Sequence, residues 1–281
     1  MIRLGIIGTG NIGTDLLLKL IKTKDLRPII FVGRREDSTG ILLAKKKSIR
    51  TSALGINFFI KNPKFCNIVY DCTNAFDAEK HAEVFKSQGI KVIDLTPAKI
   101  GSFCVPSIKS NWKGENINMI TCGGQASIPM LSLVSKYSKK LEYIEVVSQI
   151  ASKSAGMATR INIDNYIETT ENAIVEFTGT KKCKVILNLN PAKPEVNMQT
   201  TMFVKANSFK YEPLVHSIYK KIMELQTYIK NYELVMPPVI NDGILVLSVR
   251  VKGTGDFLPE YAGNLDIINC AAIEITKIFY E

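Results

Sequence analysis

Histidine is nearly absent: the 281 residues hold only His81 and His216. Six cysteines, at positions 66, 72, 104, 122, 183 and 270, include no C-x-x-C pair, and both histidines are remote from them in sequence. That spacing excludes a zinc motif and a disulfide framework, so no metal is expected, and a reduced, cytoplasmic setting fits best. No apolar run is long enough to span a bilayer, and Met1-Ile2-Arg3 leads straight into a glycine loop, so neither a membrane span nor a signal peptide is expected. There is no internal repeat and no low-complexity linker. The formal net charge is +10, which would suit nucleic acid. The lysines, however, are spread along the chain, as in Lys45-Lys46-Lys47, Lys139-Lys140, Lys181-Lys182 and Lys220-Lys221. They lack the interleaved aromatics that stack bases. They read as solvated faces that help gather anionic small molecules.

What is present begins at the N-terminus. An apolar strand, Met1 to Ile7, runs into Gly8-Thr9-Gly10-Asn11-Ile12-Gly13 and then an amphipathic helix. A lone G-x-G-x-x-G is weak, but between a strand and a helix it is a dinucleotide fingerprint. Gly8 makes the turn, Gly10 lets a pyrophosphate approach and Gly13 lets the helix pack on the strand. The helix N-terminus would hold the phosphates. The next strand ends at Val32-Gly33-Arg34-Arg35-Glu36-Asp37. An acidic residue here would bind the ribose hydroxyl of NAD. Two arginines come first, and a planar guanidinium pairs well with a phosphate, so the sequence leans toward NADP through Arg34 and Arg35. The alternative is an NAD site on Glu36 or Asp37.

Short apolar strands alternate with helical patterns through the first half, at 2–8, 28–33, 68–72, 91–95 and 118–122, with helices at 12–23 and 78–88. This predicts an α/β fold, a parallel sheet of the Rossmann type with covering helices. The segment Asp71-Cys72-Thr73-Asn74-Ala75 falls at a carboxyl strand end, where such sheets bind ligands. The second half reads as strands at 143–150, 183–189, 200–205 and 244–251, with helices at 164–177 and 212–229. That pattern predicts an α+β domain on a mixed or antiparallel sheet. The expected division is 1–125 for dinucleotide binding and 126–262 for the second domain, with a terminal helix (263–281) packing back onto the first.

Between the halves lies Met119-Ile120-Thr121-Cys122-Gly123-Gly124-Gln125-Ala126. An apolar run ends on Thr-Cys, glycines follow, and a helix starts. A lone cysteine at a strand end is more often a small buried residue. Here the helix N-terminus would offer N–H groups and partial positive charge that favour a thiolate. The glycines would let the chain turn sharply and leave room for a substrate. Cys122 is the candidate nucleophile.

Taken in order, Gly8 to Leu16, Asp94-Leu95-Thr96-Pro97-Ala98, Cys104-Val105-Pro106, Thr121 to Ala126, Ser152-Lys153-Ser154-Ala155-Gly156, Thr159-Arg160, Asn162-Ile163-Asp164, Asn190-Pro191-Ala192 and Tyr261 to Asp266 resemble the acylating acetaldehyde dehydrogenases nearly end to end. The resemblance implies a Rossmann domain joined to an α+β catalytic and dimerisation domain. It implies oxidation of acetaldehyde or another small aldehyde to acyl-CoA, through a thiohemiacetal and then a thioester on Cys122. The co-substrates implied are coenzyme A and NAD or NADP. Thr9, Gly10, Asn11 and Ile12 would meet the cofactor, as would residues 154–162, with Ser154, Ala155, Gly156 and Asn162, and also Asn264. A homodimer or larger oligomer and a complex with a ketoacid aldolase are implied partners. The chain departs from the family in three places. Arg35 stands where an acidic residue is usual, and Thr200 stands where the family has an aspartate near the thiol. The segment 236–243 is shorter than the usual loop. These departures leave open an NADP-dependent reductase of larger acyl groups, or a weakly active nucleotide-binding paralogue serving as a structural partner.

Overall fold

The computed structural model describes residues 2–108 and 116–279. Met1 and the last two residues of the expected terminal helix lie outside the described residues. The first half runs β1 (Leu4–Ile7), α1 (Asn11–Lys22), β2 (Ile30–Val32), α2 (Thr39–Lys46), β3 (Thr51–Ser52), α3 (Asn57–Lys61), β4 (Ile68–Asp71), α4 (Ala75–Ser87), β5 (Lys91–Asp94), β6 (Ser102–Phe103) and β7 (Asn116–Asn118). Then follow α5 (Cys122–Lys136), β8 (Ser138–Ala151), α6 (Met157–Ile161), α7 (Ile163–Thr178), β9 (Cys183–Asn190), β10 (Met198–Phe209), α8 (Tyr211–Leu225), β11 (Tyr232–Asn241), β12 (Ile244–Val251) and α9 (Gly263–Ile278).

The first sheet is parallel throughout, in the order β3-β2-β1-β4-β5-β7-β6 among the described residues. β1 is buried along its whole length, as a strand covered on both faces must be. The order reverses between β1 and β4, so their carboxyl ends open the crevice where such sheets hold ligands. Gly8 follows β1 at φ +106, and a Cβ there would lie 2.5 Å from the Cys72 carbonyl. A Cβ on Gly13 would lie 1.9 Å from Gly8 O. These glycines therefore let β1, β4 and the first turn of α1 crowd together, as the sequence predicts.

The second sheet is mixed, ordered β11-β12-β10-β8-β9, with β8–β9 its parallel pair. On β8, Ile144, Val146, Ser148 and Ile150 are buried while the residues between them are half-exposed, the period of two expected of a strand. Helices α5, α7 and α8 cover the buried face, with Val134, Ile174 and Ile218 in one apolar cluster with Val146, Met202 and Leu247.

Besides the short elements β3, α3, β6 and α6, which the sequence reading lacks, three differences stand out. The strand expected at 118–122 ends at Asn118, and the helix starts earlier, at Cys122. The segment 236–243 belongs to β11 and its turn. Its prolines hid the strand, but β11 is a sheet edge with register shifts near Met236, where proline is tolerated. Asp242 and Gly243, both at positive φ, close the β11–β12 hairpin in the way an Asp-Gly pair favours. The helix α2 was not expected, because the lysine run obscures its short apolar face of Ile41 and Ala44.

The terminal helix does return to the first sheet. Ile268, Ala271 and Ile275 share a cluster with Leu4, Leu16 and Leu20. Polar anchors fix the contact. Buried Lys19 of α1 lies 2.5 Å from Asp256 Oδ2 and 2.7 Å from Asp266 Oδ1, and Asn269 donates to Asp15 Oδ2 at 2.8 Å. Burial works against the Lys19 ammonium, but Asp15, Asp266 and Asp256 outweigh it and hold the group charged. Lys19→Met strands these carboxylates, and the expected loss is about 3–5 kcal/mol, read as a lower urea-unfolding midpoint. An unchanged midpoint would mean that the carboxyls are protonated or hydrated without Lys19.

Candidate active site

A cleft of about 620 Å³ lies over the carboxyl ends of β1, β2 and β4. Gly8, Thr9, Gly10, Arg34 and Arg35 line it. A smaller pocket of about 60 Å³ adjoins it, lined by Ile12, Cys122, Asn162, Tyr166 and Asn264. Cys72, Thr73 and Ala158 wall both, so the two spaces meet at the end of β4. The glycine loop and the thiol, more than a hundred residues apart in sequence, thus line adjoining spaces that share a wall.

The other expected site residues support this wall from behind. Gly13 packs under Gly8. Ser154 and Ala155 are buried, and Ser154 Oγ donates to Ala151 O at 2.8 Å. Asn11 Nδ2 donates to Ser154 O at 3.5 Å, and Gly156 packs beside the Asn11 side chain. The segment 154–156 is therefore moored to the glycine loop.

The cleft suits a dinucleotide. Gly10 is the N-cap of α1 and has open space where a Cβ would sit, so a phosphate can approach the helix N-terminus. Asn264 Oδ1 is buried without a partner among the described residues and belongs to the small pocket. An orphaned acceptor there fits the amide of a nicotinamide. Glu36 pairs with Lys45 and Asp37 with Arg35, and neither carboxylate lines the cleft.

Cys122 is the first residue of α5, and Thr121 caps the helix by accepting from Gly124 N at 2.9 Å. The turn before it is held under strain. Ile120 has φ 63, a rare conformation for a β-branched residue. Asn118 Oδ1 accepts from Ile120 N at 2.7 Å, and Gln125 Nε2 donates to Met119 O at 2.9 Å. The strained turn falls on Ile120 and not on the glycines. Gly123 and Gly124 serve close packing instead: a Cβ on Gly123 would lie 2.1 Å from the Tyr166 hydroxyl, and one on Gly124 2.6 Å from Ile120 Cγ2.

The Cys122 sulfur lies 3.8 Å from the Tyr166 hydroxyl. Burial pushes the thiol up to about 11; the Tyr166 hydroxyl and the Cys122 and Gly123 N–H groups pull the other way but lose. The helix N-terminus acts in the expected sense, toward the thiolate, and burial acts against it. The residue is partly exposed, yet its sulfur is enclosed, and desolvation dominates. Cys66 and Cys104 are buried, with thiols also pushed up by burial. The sequence reading missed Tyr166, although it lies one helical turn beyond Asn162 on the same face. It also missed Ser148, a buried polar residue on β8 that no motif marks. Thr200 is fully buried on β10, with Oγ1 3.0 Å from Ser148 Oγ.

A model of the family described as prokaryotic acetaldehyde dehydrogenase, dimerisation, matches residues 122–259. The chain is 47% identical to an acetaldehyde dehydrogenase of Spirochaeta aurantia, over 98% of this chain and 94% of that protein. It is 44% identical to one from Pectobacterium atrosepticum, over 99% of this chain and 95% of that protein. For one from Burkholderia thailandensis the identity is 43%, over 98% and 93%.

Because the Cys122 thiol is raised, its thiolate fraction grows as pH climbs through neutrality. Iodoacetamide should therefore alkylate Cys122 about tenfold faster per pH unit between roughly pH 7 and 10, as mapped by peptide mass. A rate already level at pH 7 would show that the helix N-terminus wins over burial.

Proposed function

The chain belongs to the acetaldehyde dehydrogenase family, and on that footing we propose that it joins an aldehyde to coenzyme A through Cys122. It is an oxidoreductase, as its relatives' names and the Rossmann-type sheet support. The observation that carries the site reading is the adjacency of the two spaces: the pocket lined by Cys122 and the cleft lined by the glycine loop share Cys72, Thr73 and Ala158. A volume of about 60 Å³ suits a short aldehyde and not a long acyl chain. The near-full-length relatives favour this activity over a reductase of larger acyl groups or an inactive partner subunit.

The Cys122 thiolate adds to the aldehyde carbon and forms a thiohemiacetal. The Cys122 and Gly123 N–H groups at the start of α5 would be the donors for the oxygen that gains charge. A bound nicotinamide supplies the hydride acceptor. Gly10 and Asn11 would hold its phosphates and Asn264 its amide. Loss of hydride leaves a thioester on Cys122. Coenzyme A attacks that carbonyl, acyl-CoA departs, and the thiolate returns.

The arginines support NADP as the dinucleotide. Arg34 and Arg35 line the cleft while Glu36 and Asp37 do not. We divide the chain as 1–125 for nucleotide and 126–262 for catalysis and dimerisation, with 263–281 returning to the first part; α5 runs through the boundary. The face of the second sheet away from the helices carries half-exposed Val147, Phe203 and Val246 and suits a second copy. A ketoacid aldolase as the aldehyde source and a cytoplasmic setting complete the reading. No helix among the described residues is long and apolar enough to cross a membrane.

Replacing Cys122 by Ala should abolish acyl-CoA formation from acetaldehyde, coenzyme A and NADP while leaving dinucleotide affinity within about twofold. Near-normal turnover in that variant would remove Cys122 from the chemistry. In the double variant Arg34→Ala, Arg35→Ala, NADP should bind about tenfold or more weaker while NAD changes little, the scale of a charge-assisted contact. Equal starting affinities, or an unchanged ratio measured by fluorescence titration, would return the role to Glu36 or Asp37.

A further inference from the structure

Three buried hydroxyls lead from the thiol into the second sheet. Tyr166 of α7 meets the sulfur at 3.8 Å. Ser148 Oγ of β8 and the same phenol converge beside Gly123, and Thr200 of β10 lies 3.0 Å from Ser148 Oγ. All three residues are buried, Ser148 and Thr200 completely. The convergence is tight: a Cβ on Gly123 would sit 2.1 Å from the Tyr166 oxygen and 2.8 Å from Ser148 Oγ. Only glycine leaves room for the phenol at this point. The pocket reading above assigns none of these groups a role.

The phenol has one O–H to give, and the Cys122 sulfur lies 3.8 Å from its oxygen. Either oxygen of the Ser148–Thr200 pair can be the donor. No carboxylate or ammonium is among the groups that set the proton affinity of Cys122. The pocket beside the sulfur is lined by Tyr166 from α7, Cys72 from the end of β4, Asn264 from α9 and Ile150 from β8, with no carboxylate or ammonium among them. A hydrogen bond to the charged form favours that form.

Resting on the proposed role of Cys122 as nucleophile, we propose that Tyr166 is a catalytic hydrogen-bond donor that stabilises the Cys122 thiolate, and that Ser148 and Thr200 are positioning residues that aim its O–H at the sulfur. With the thiol protonated, its S–H donates to the phenol oxygen; once the sulfur is ionised each hydroxyl keeps its hydrogen, Thr200 donating to Ser148, Ser148 to Tyr166 and Tyr166 to sulfur. The thiol proton leaves through the pocket to solvent, so the chain needs no base at its far end. A neutral donor chain thereby offsets part of the burial that raises the thiol, without the repulsion that a carboxylate would add.

The test is the iodoacetamide rate at Cys122 from pH 7 to 10 in the full chain, with thermal melting as the fold check. Tyr166→Phe removes one oxygen and opens almost no cavity. It should slow alkylation about tenfold throughout this rising limb, one unit of thiol pKa and the scale of a hydrogen bond to a charge. Thr200→Val, which touches neither sulfur nor reagent, should slow it about threefold in the native background and not at all in the Tyr166→Phe background. Should Tyr166→Phe fail to fold, Ser148→Ala gives the same readout with a loss of about threefold. Superimposed profiles for native and Tyr166→Phe chains overturn the donor role. A Thr200→Val loss that persists without the phenol overturns the chain. Acyl-CoA formation by the native protein is measured separately, so failure of the enzymatic reading and failure of the hydroxyl chain are distinguishable.

Discussion

The first turn of α5 is the point on which the rest of the molecule converges. It must present a sulfur at the rim of the first sheet while its body packs into the core of the second. Both demands are met by backbone packing so close that side chains are excluded at Gly123 and Gly124. The cost is a β-branched residue in the left-handed region at Ile120. Side-chain amides from Asn118 and Gln125 hold that turn in place. Strain kept at one residue by bonds from others is a common feature of functional sites.

Electrostatics at this point is a contest between burial and dipoles. The helix N-terminus, its N–H groups and the Tyr166 hydroxyl all favour negative charge on sulfur, yet enclosure in apolar surroundings outweighs them. The same apolar enclosure strengthens every dipole aimed at the sulfur once charge does form. An uncharged donor chain suits such a place better than a carboxylate, whose charge would oppose the thiolate.

The far side of the first sheet solves a different problem with full charges. Lys19, Asp15, Asp256 and Asp266 bind α1 to α9 and to the loop before it. α1 carries the glycine loop at its start, and α9 carries Asn264 in its first turn. A clamp between these helices therefore sets the spacing between the phosphate loop and the orphaned amide acceptor. Buried ion pairs add little net stability, and here the geometric role is the more consequential one.

Much of this was legible in the chain. The glycine spacing after an apolar strand dictates a turn and a helix that only Gly8 and Gly13 can pack, because no other residue lacks the Cβ that would collide. The alternation of strands and helices dictated a parallel sheet, and the strand-to-helix junction singled out Cys122 as a candidate. Local patterns reached those features because each depends on neighbours in sequence. They did not reach β11, whose prolines are acceptable only at a sheet edge, nor the boundary at Cys122, where tertiary packing extended the helix. They did not reach the desolvation of the thiol, because that depends on what surrounds the sulfur in space. Tyr166, Ser148 and Thr200 come from three elements, and nothing in their separate sequence contexts says that they touch. Only the register of β8 against β10, which sets Thr200 opposite Ser148, and the packing of α7 over that pair bring the hydroxyls into line with the sulfur.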